Sequence, residues 1–236
     1  MNQKKELIII IEVKSKSIVL IFILTFFILF VLNVVDIVSV YYLENKNILG
    51  NRFNFSFNKE GNVPSVYSAF AILFSSVLLY IIAKSTKGME KYYYWVGLHF
   101  IFIFLFLDEL FSFHEKLAQP TREILSTSGI FTFAWIIPYG IALLIFTLAY
   151  LRFLFYLPKK TMYLFIIAGT IYVAGALGME MVGGVIKEMY GRHNLYYAIE
   201  YTIEESLEMI GIVIFIYALM DYICKNISSI TLVIKE

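Results

Sequence analysis

The chain has 236 residues, of which 60% are hydrophobic and 18% aromatic, and its formal net charge is +1. A soluble domain is closer to about 45–50% apolar, so this composition is typical of a polytopic membrane protein with little room for a separate soluble domain. The near-neutral charge offers no basic surface for nucleic acid, and the single cysteine, Cys224, excludes an intramolecular disulfide and a cysteine-based zinc site.

Six apolar segments are long enough to cross a bilayer, which takes about 20 helical residues. These segments are residues 18–42, 64–83, 95–115, 130–155, 162–187 and 196–223. Pro138 is expected to kink the fourth segment, and the asparagine-rich stretch 44–63 to form an exposed loop. The sequence therefore predicts an all-α polytopic membrane helix bundle, with one transmembrane domain over residues 18–224.

The flanking residues predict the orientation. Residues 1–17 mix lysine and glutamate around a short apolar run, which is typical of a cytoplasmic lead-in without a cleavable signal. With six spans, twelve of the 19 Lys and Arg residues fall on the side of the two termini. Positively charged loops favour the cytoplasm, so we expect both termini, including the tail 225–236, to be cytoplasmic in a multi-pass protein of the cell membrane.

This topology brings acidic residues of the first, third, fifth and sixth segments to the outer side, with Asp36 and Glu44 toward the outer end of the first. Ionisable groups at membrane depth are costly and usually mark a functional site. The third segment ends with the motif LDExxxxHE, which contains Asp108, Glu109, His114 and Glu115. On a straight helix Asp108, Ser112 and Glu115 share one stripe and His114 points away from it. We therefore expect Asp108 and Glu115 to line one site.

The sixth segment begins with the motif EExLExxG, which contains Glu204, Glu205 and Glu208. Glu200, Glu204 and Glu208 are four residues apart and share one helix face. Like charges at this spacing repel one another, so cations, protons or water must offset the repulsion.

The fifth segment carries Glu180 among small residues, which let membrane helices approach closely. A straight helix puts these residues on one stripe: Gly169, Ala176, Glu180, Gly184 and Lys187. Glu180 is then expected to face a close helix partner, either as a ligand or in an ion pair with Lys187 or Arg192.

Carboxylate oxygens with few imidazoles favour magnesium, calcium, manganese or iron. We expect a divalent metal ion with ligands from Asp108, His114, Glu115, Glu204 and Glu208. Glu109, Glu180 and Glu205 are the candidates for a catalytic base or for positioning the ligands. Dimetal bundles use Glu-x-x-His pairs, and the sequence has none. A single divalent ion, or two carboxylates that share a proton, therefore fits the sequence as well as a dimetal site does.

The motifs LDExxxxHE and EExLExxG resemble those of uncharacterised bacterial six-helix integral membrane proteins. The resemblance covers the third to sixth segments. It implies a six-helix membrane fold and no assigned activity.

Three functions remain open from the sequence. The leading hypothesis is a metal-dependent membrane enzyme, a hydrolase or oxidoreductase, that acts on a lipid or another hydrophobic substrate in the outer leaflet. The second is a cation or proton transporter or channel, since acidic rings and intramembrane acids serve both. The third is a structural adaptor or sensor whose acidic groups pair with basic residues, namely Lys116, Arg122, Lys187 and Arg192.

Overall fold

The computed structural model describes residues 7–9, 15–43, 54–227 and 232–234. Its helices are α1 (Ser15–Tyr41), α2 (Val63–Ser85), α3 (Tyr92–Phe111), α4 (Phe113–Leu125), α5 (Ile136–Tyr156), α6 (Lys159–Val173), α7 (Glu180–Tyr190) and α8 (Leu195–Asn226). A π turn, Ala174–Met179, joins α6 to α7 without a break. Two short strands, β1 (Leu7–Ile9) and β2 (Leu232–Ile234), pair in antiparallel fashion.

Six helical stretches are long and apolar enough to cross a membrane. They are α1, α2, α3, α5, α8 and the continuous stretch Lys159–Tyr190. The predicted helical membrane bundle with six spans is thereby confirmed. Pairing of β1 with β2 brings the two ends of the chain together, whereas their cytoplasmic location stays a prediction. The predicted lead-in and tail lie largely outside the described residues.

Helix α8 is the centre of the bundle and packs against α1, α2, α6 and α7, while α2 also packs along α3. The half of the bundle nearest the chain ends, here called the terminal half, is filled by large side chains. Trp95 is fully buried, with ring centroids 5.0 Å from those of Phe153 and Tyr222. Leu79 and Leu219 are also fully buried. The opposite half, called the acidic end, holds the polar motifs.

Two helix ends differ from the prediction. The third span stops at Phe111, because Ser112 adopts a left-handed conformation (φ 48°) and its N–H donates to the Asp108 carbonyl oxygen at 2.7 Å. A separate helix, α4, starts at the next residue, so the predicted continuous helix 95–115 is wrong. The fourth span begins at Ile136. Pro138 therefore lies in its first turn, where the missing N–H costs nothing, and does not kink the span.

Candidate functional site at the acidic end

Asp108, near the end of α3, accepts three hydrogen bonds. Its Oδ1 atom accepts from the backbone N–H of His114 at 2.9 Å and from the Tyr139 hydroxyl at 3.0 Å, and its Oδ2 atom lies 3.2 Å from His114 Nδ1. The break at Ser112 returns the chain toward Asp108. The expectation that His114 points away from Asp108 is therefore wrong, while Glu115 is exposed.

The start of α5 links His114 to α7. The His114 ring centroid is 4.8 Å from that of Trp135, whose Nε1–H donates to Glu180 Oε1 at 3.1 Å. The segment before α5 is held in place by Glu188 of α7, whose Oε1 accepts from the N–H of Gly129 at 3.0 Å. Burial lowers the pKa of His114, but the hydrogen bond and negative charge of Asp108 outweigh it, and the pKa lies above its ordinary value.

Glycines of the α6–α7 stretch allow α8 to approach. A Cβ atom on Gly175 would lie 2.8 Å from the Glu204 carbonyl oxygen, and one on Gly183 would lie 2.7 Å from Glu200 Oε2. Gly169 has open space around it. The predicted stripe from Gly169 to Lys187 is therefore wrong, because the π turn adds an extra residue to the helix and shifts the helical phase.

Three carboxyl groups adjoin one another between α7 and α8. Glu204 lies within hydrogen-bonding range of both Glu180 and Glu200. Two carboxyl groups can approach in this way only when a proton or a cation lies between them. Glu200 is only 3% exposed, and its Oε1 atom has no hydrogen-bond partner within the described part of the chain. Glu180 therefore connects Trp135, at the start of α5, with Glu204 of α8.

Glu109 and Glu208 form a second carboxyl pair deeper in the bundle. Both line a cavity with room for about one water molecule, together with Tyr172 and Ser68. The Ser68 hydroxyl oxygen is buried without a hydrogen-bond partner among the described residues. Glu205 is within electrostatic range of both acids. This cavity has the donors and acceptors to hold a water molecule or a small cation.

The loop over residues 54–62 also reaches the acidic end. Asn33 of α1 is fully buried, accepts from the Phe57 N–H at 2.9 Å and donates to Thr202 Oγ1 at 2.9 Å. Glu60 belongs to the same loop. Desolvation of the Glu60 carboxyl group raises its pKa, the positive charge of His114 lowers it, and nearby carboxylates raise it further. The predicted exposed loop 44–63 is therefore anchored over 54–62, and its first part lies outside the described residues.

The basic residues near the site do not neutralise it. Across residues 15–43 and 54–227, His114 is the sole group in an ion pair with any of the acidic residues named above. Arg122 donates to the Thr132 carbonyl oxygen, Lys116 lies 5.0 Å from the Phe113 ring centroid, and Lys187 lies 4.4 Å from that of Phe133. Glu180 accepts from Trp135 and makes no ion pair with Lys187 or Arg192 in this part of the chain.

The structure brings most of the predicted site residues together, but in subsets. Asp108 pairs with His114, Glu180 with Glu204, and Glu109 with Glu208. Over the described ranges, no group of three or more His, Cys, Asp or Glu side chains has the arrangement of a metal-ligand set. Sequence reasoning missed Trp135, Tyr139, Tyr172 and Glu60. The i,i+4 spacing of Trp135 and Tyr139 on one helix face was the available signal.

Six spans enclosing a set of buried acidic side chains define a multi-pass membrane protein with a polar site at one end of its bundle. The chain belongs to the family described as a domain of unknown function (DUF8692), whose model matches residues 19–223. Comparisons with curated proteins and with solved structures gave no match. The family thus covers all six spans and assigns no activity.

Proposed function

We propose that the protein is a metal-dependent enzyme of the cell membrane that acts on a lipid or another hydrophobic substrate at its acidic end, on the outer side. One observation carries the proposal: carboxyl groups from three helices meet inside the bundle, and His114 alone forms an ion pair with them among the described residues. The carboxyl groups are those of Asp108, Glu109, Glu180, Glu200, Glu204, Glu205 and Glu208.

Several negative charges withdrawn from water cost free energy unless protons or cations compensate them. Oxygen-rich sites with few imidazoles suit hard divalent ions. The proposed ligands are Asp108, His114, Glu115, Glu204 and Glu208, which the structure holds in separate subsets and which a bound ion would have to draw together. The proposed base or ligand-positioning groups are Glu109, Glu180 and Glu205. A divalent ion bound there would polarise a substrate oxygen and activate water.

The closed terminal half supports an enzyme over a pore. Leu79, Trp95 and Leu219 fill the path beyond the acidic residues and are fully buried. The surrounding helices expose apolar side chains, such as Phe104 on α3 and Ile203 on α8, and these surfaces face lipid in a membrane. The proposed partners are therefore membrane lipids, which contact these surfaces.

Elemental analysis of the purified protein tests the metal. We expect a bound divalent metal ion in the wild type, and its loss in the double variant Glu204→Gln/Glu208→Gln. The control is Glu123→Gln, because Glu123 is an exposed residue of α4 whose carboxylate accepts from Gln119. Removal of the ion by a chelator is expected to lower stability by about 2.7 kcal/mol for an ion present at about 100 times its Kd.

Wild-type protein without metal, and with unchanged melting temperature in chelator, would refute this assignment. Turnover is then tested with the metal-loaded protein on membrane lipid extracts. Loss of product in Glu180→Gln, with metal retained, is the result expected of a catalytic base.

Proton or cation transport is the second candidate, and the contacts among Glu180, Glu204 and Glu200 favour it. Adjacent carboxyl groups can pass a proton along a chain. Ion or proton flux into proteoliposomes that is present in the wild type and absent in Glu204→Gln would rank transport above catalysis. Glu123→Gln is again the control.

A further inference from the structure

A larger cavity of about 330 Å³ opens at the acidic end, separate from the carboxyl pairs. It lies between the outer part of α1, the loop 54–62 and the α7–α8 turn. Its lining includes the charged or titratable residues Asp36, Tyr41, Lys59, Arg192, His193 and Tyr201, together with Ser56 and Asn58. This volume is within the range of small-molecule sites.

The lining favours an anionic ligand. Among the described lining residues, Lys59 and Arg192 carry positive charges and His193 an imidazole, and Asp36 carries a carboxylate. Arg192 makes no ion pair within residues 15–43 and 54–227, and its guanidinium carbon lies 5.9 Å from the Phe133 ring centroid. A planar guanidinium group binds phosphate oxygens in a bidentate manner, which makes phosphate the best-matched anion.

The turn that carries Arg192 and His193 is fixed to α1 and α8. The Tyr41 hydroxyl of α1 donates to the Asn194 carbonyl oxygen at 3.0 Å. The Asn194 side chain accepts from the Tyr197 N–H at 2.9 Å and so caps α8. The backbone that carries the two side chains is therefore held from both sides and needs little ordering when a ligand binds.

Beside the cavity, α1 presents an apolar surface. Ile37 and Val40 form part of the lining, while Val34, Val35 and Val38 are exposed on the same helix. A phosphate group in the cavity can therefore belong to a lipid whose acyl chains lie along α1. We propose that this cavity binds the phosphate headgroup of an anionic membrane lipid.

This inference does not depend on the proposed metal or on turnover. The cavity uses residues from α1, the 54–62 loop and the α7–α8 turn, together with Tyr201 of α8, and none of them is a proposed metal ligand. Glu204→Gln/Glu208→Gln is therefore expected to bind lipid as the wild type does. Failure of the metal proposal and failure of the headgroup proposal are thus separate results.

Native mass spectrometry of the detergent-purified full chain tests the proposal with three probes: short-chain phosphatidylglycerol, short-chain phosphatidylcholine and inorganic phosphate. We expect phosphatidylglycerol to bind most tightly. Lys59→Gln and Arg192→Gln should each weaken its binding about tenfold or more, since each removes a charge-assisted contact. Lys116→Gln should bind normally, because Lys116 is an exposed cation of α4 that does not line the cavity.

Equal binding of both lipids would overturn the proposal, as would an equal loss in Lys116→Gln or binding of inorganic phosphate without binding of lipid. Arg192→Lys keeps the positive charge but cannot bind phosphate in a bidentate manner. Its affinity for phosphatidylglycerol is expected to lie between those of the wild type and Arg192→Gln. Melting temperatures of all variants are recorded, and normal binding by a correctly folded Arg192→Gln protein would also refute the assignment.

Discussion

Replacement of Gly175 by alanine is expected to force α8 away from the π turn. The new Cβ atom would lie 2.8 Å from the Glu204 carbonyl oxygen, 2.9 Å from Glu208 Cγ and 3.1 Å from the Glu208 backbone nitrogen. Two of these atoms belong to the α8 backbone, so rotation of a side chain cannot relieve the overlap. The change would also displace the backbone that carries two proposed metal ligands.

The size of the effect follows from these distances. Ordinary Cβ contacts begin at 3.4 Å, so the helices would have to separate by roughly half an ångström, and such a gap forfeits about a quarter of the dispersion energy of the contacting atoms. Overpacking typically costs about 1–3 kcal/mol, and alanine recovers up to about 1 kcal/mol through its helix propensity. We expect a net loss of about 1–2 kcal/mol for Gly175→Ala.

Gly169→Ala is the matched control, because Gly169 lies in α6 and a Cβ atom there meets nothing within 4 Å. It is expected to keep or raise stability, by up to about 1 kcal/mol. Thermal unfolding in one detergent measures both, at about 2–4 °C per kcal/mol for a chain of this length. A Gly175→Ala protein that melts at or above the temperature of Gly169→Ala would refute the packing argument.

Three further predictions concern single contacts, each measured by thermal unfolding. Asn33→Leu leaves the buried Phe57 N–H without its acceptor and should cost about 1–3 kcal/mol; an unchanged melting temperature would contradict this. The raised pKa of His114 stabilises the fold at pH below the ordinary histidine pKa, and this stabilisation is lost as pH rises through the raised value. In metal-free protein, Asp108→Asn should flatten that pH dependence, and an unchanged profile would refute the pairing. Ser112→Gly relieves the left-handed conformation and should gain about 1 kcal/mol; a loss would contradict it.

Hydropathy predicts the six spans because a bilayer requires long apolar helices whatever their packing. The helix ends are less predictable, since they depend on local conformation. Nothing in the residue type of Ser112 indicates a left-handed conformation, and only the structure shows that α3 stops there. Pro138 illustrates a different error, because a proline in an apolar run fits a helix start as well as a kink.

The acidic residues of the site could be found from the sequence because charge within apolar segments is rare and costly. Which of these residues contact one another could not be predicted, because the prediction assumed straight helices. The break at Ser112 reverses the predicted positions of His114 and Glu115, and the π turn shifts Glu180 relative to Gly169. Trp135 and Tyr139 were missed since an aromatic side chain in a membrane segment normally indicates packing or an interface.

The contacts around the carboxyl groups bear on the choice among the three functions. In a structural adaptor, buried acids stabilise the bundle only if cationic partners offset their desolvation, yet Lys187 and Arg192 lie over the Phe133 ring. An enzyme and a transporter both use uncompensated acids, because a metal ion, a proton or a substrate supplies the missing charge. They differ in the terminal half, where a transported ion would have to pass the fully buried side chains of Leu79, Trp95 and Leu219. Transport therefore requires that half of the bundle to open, whereas the proposed catalysis at the acidic end does not.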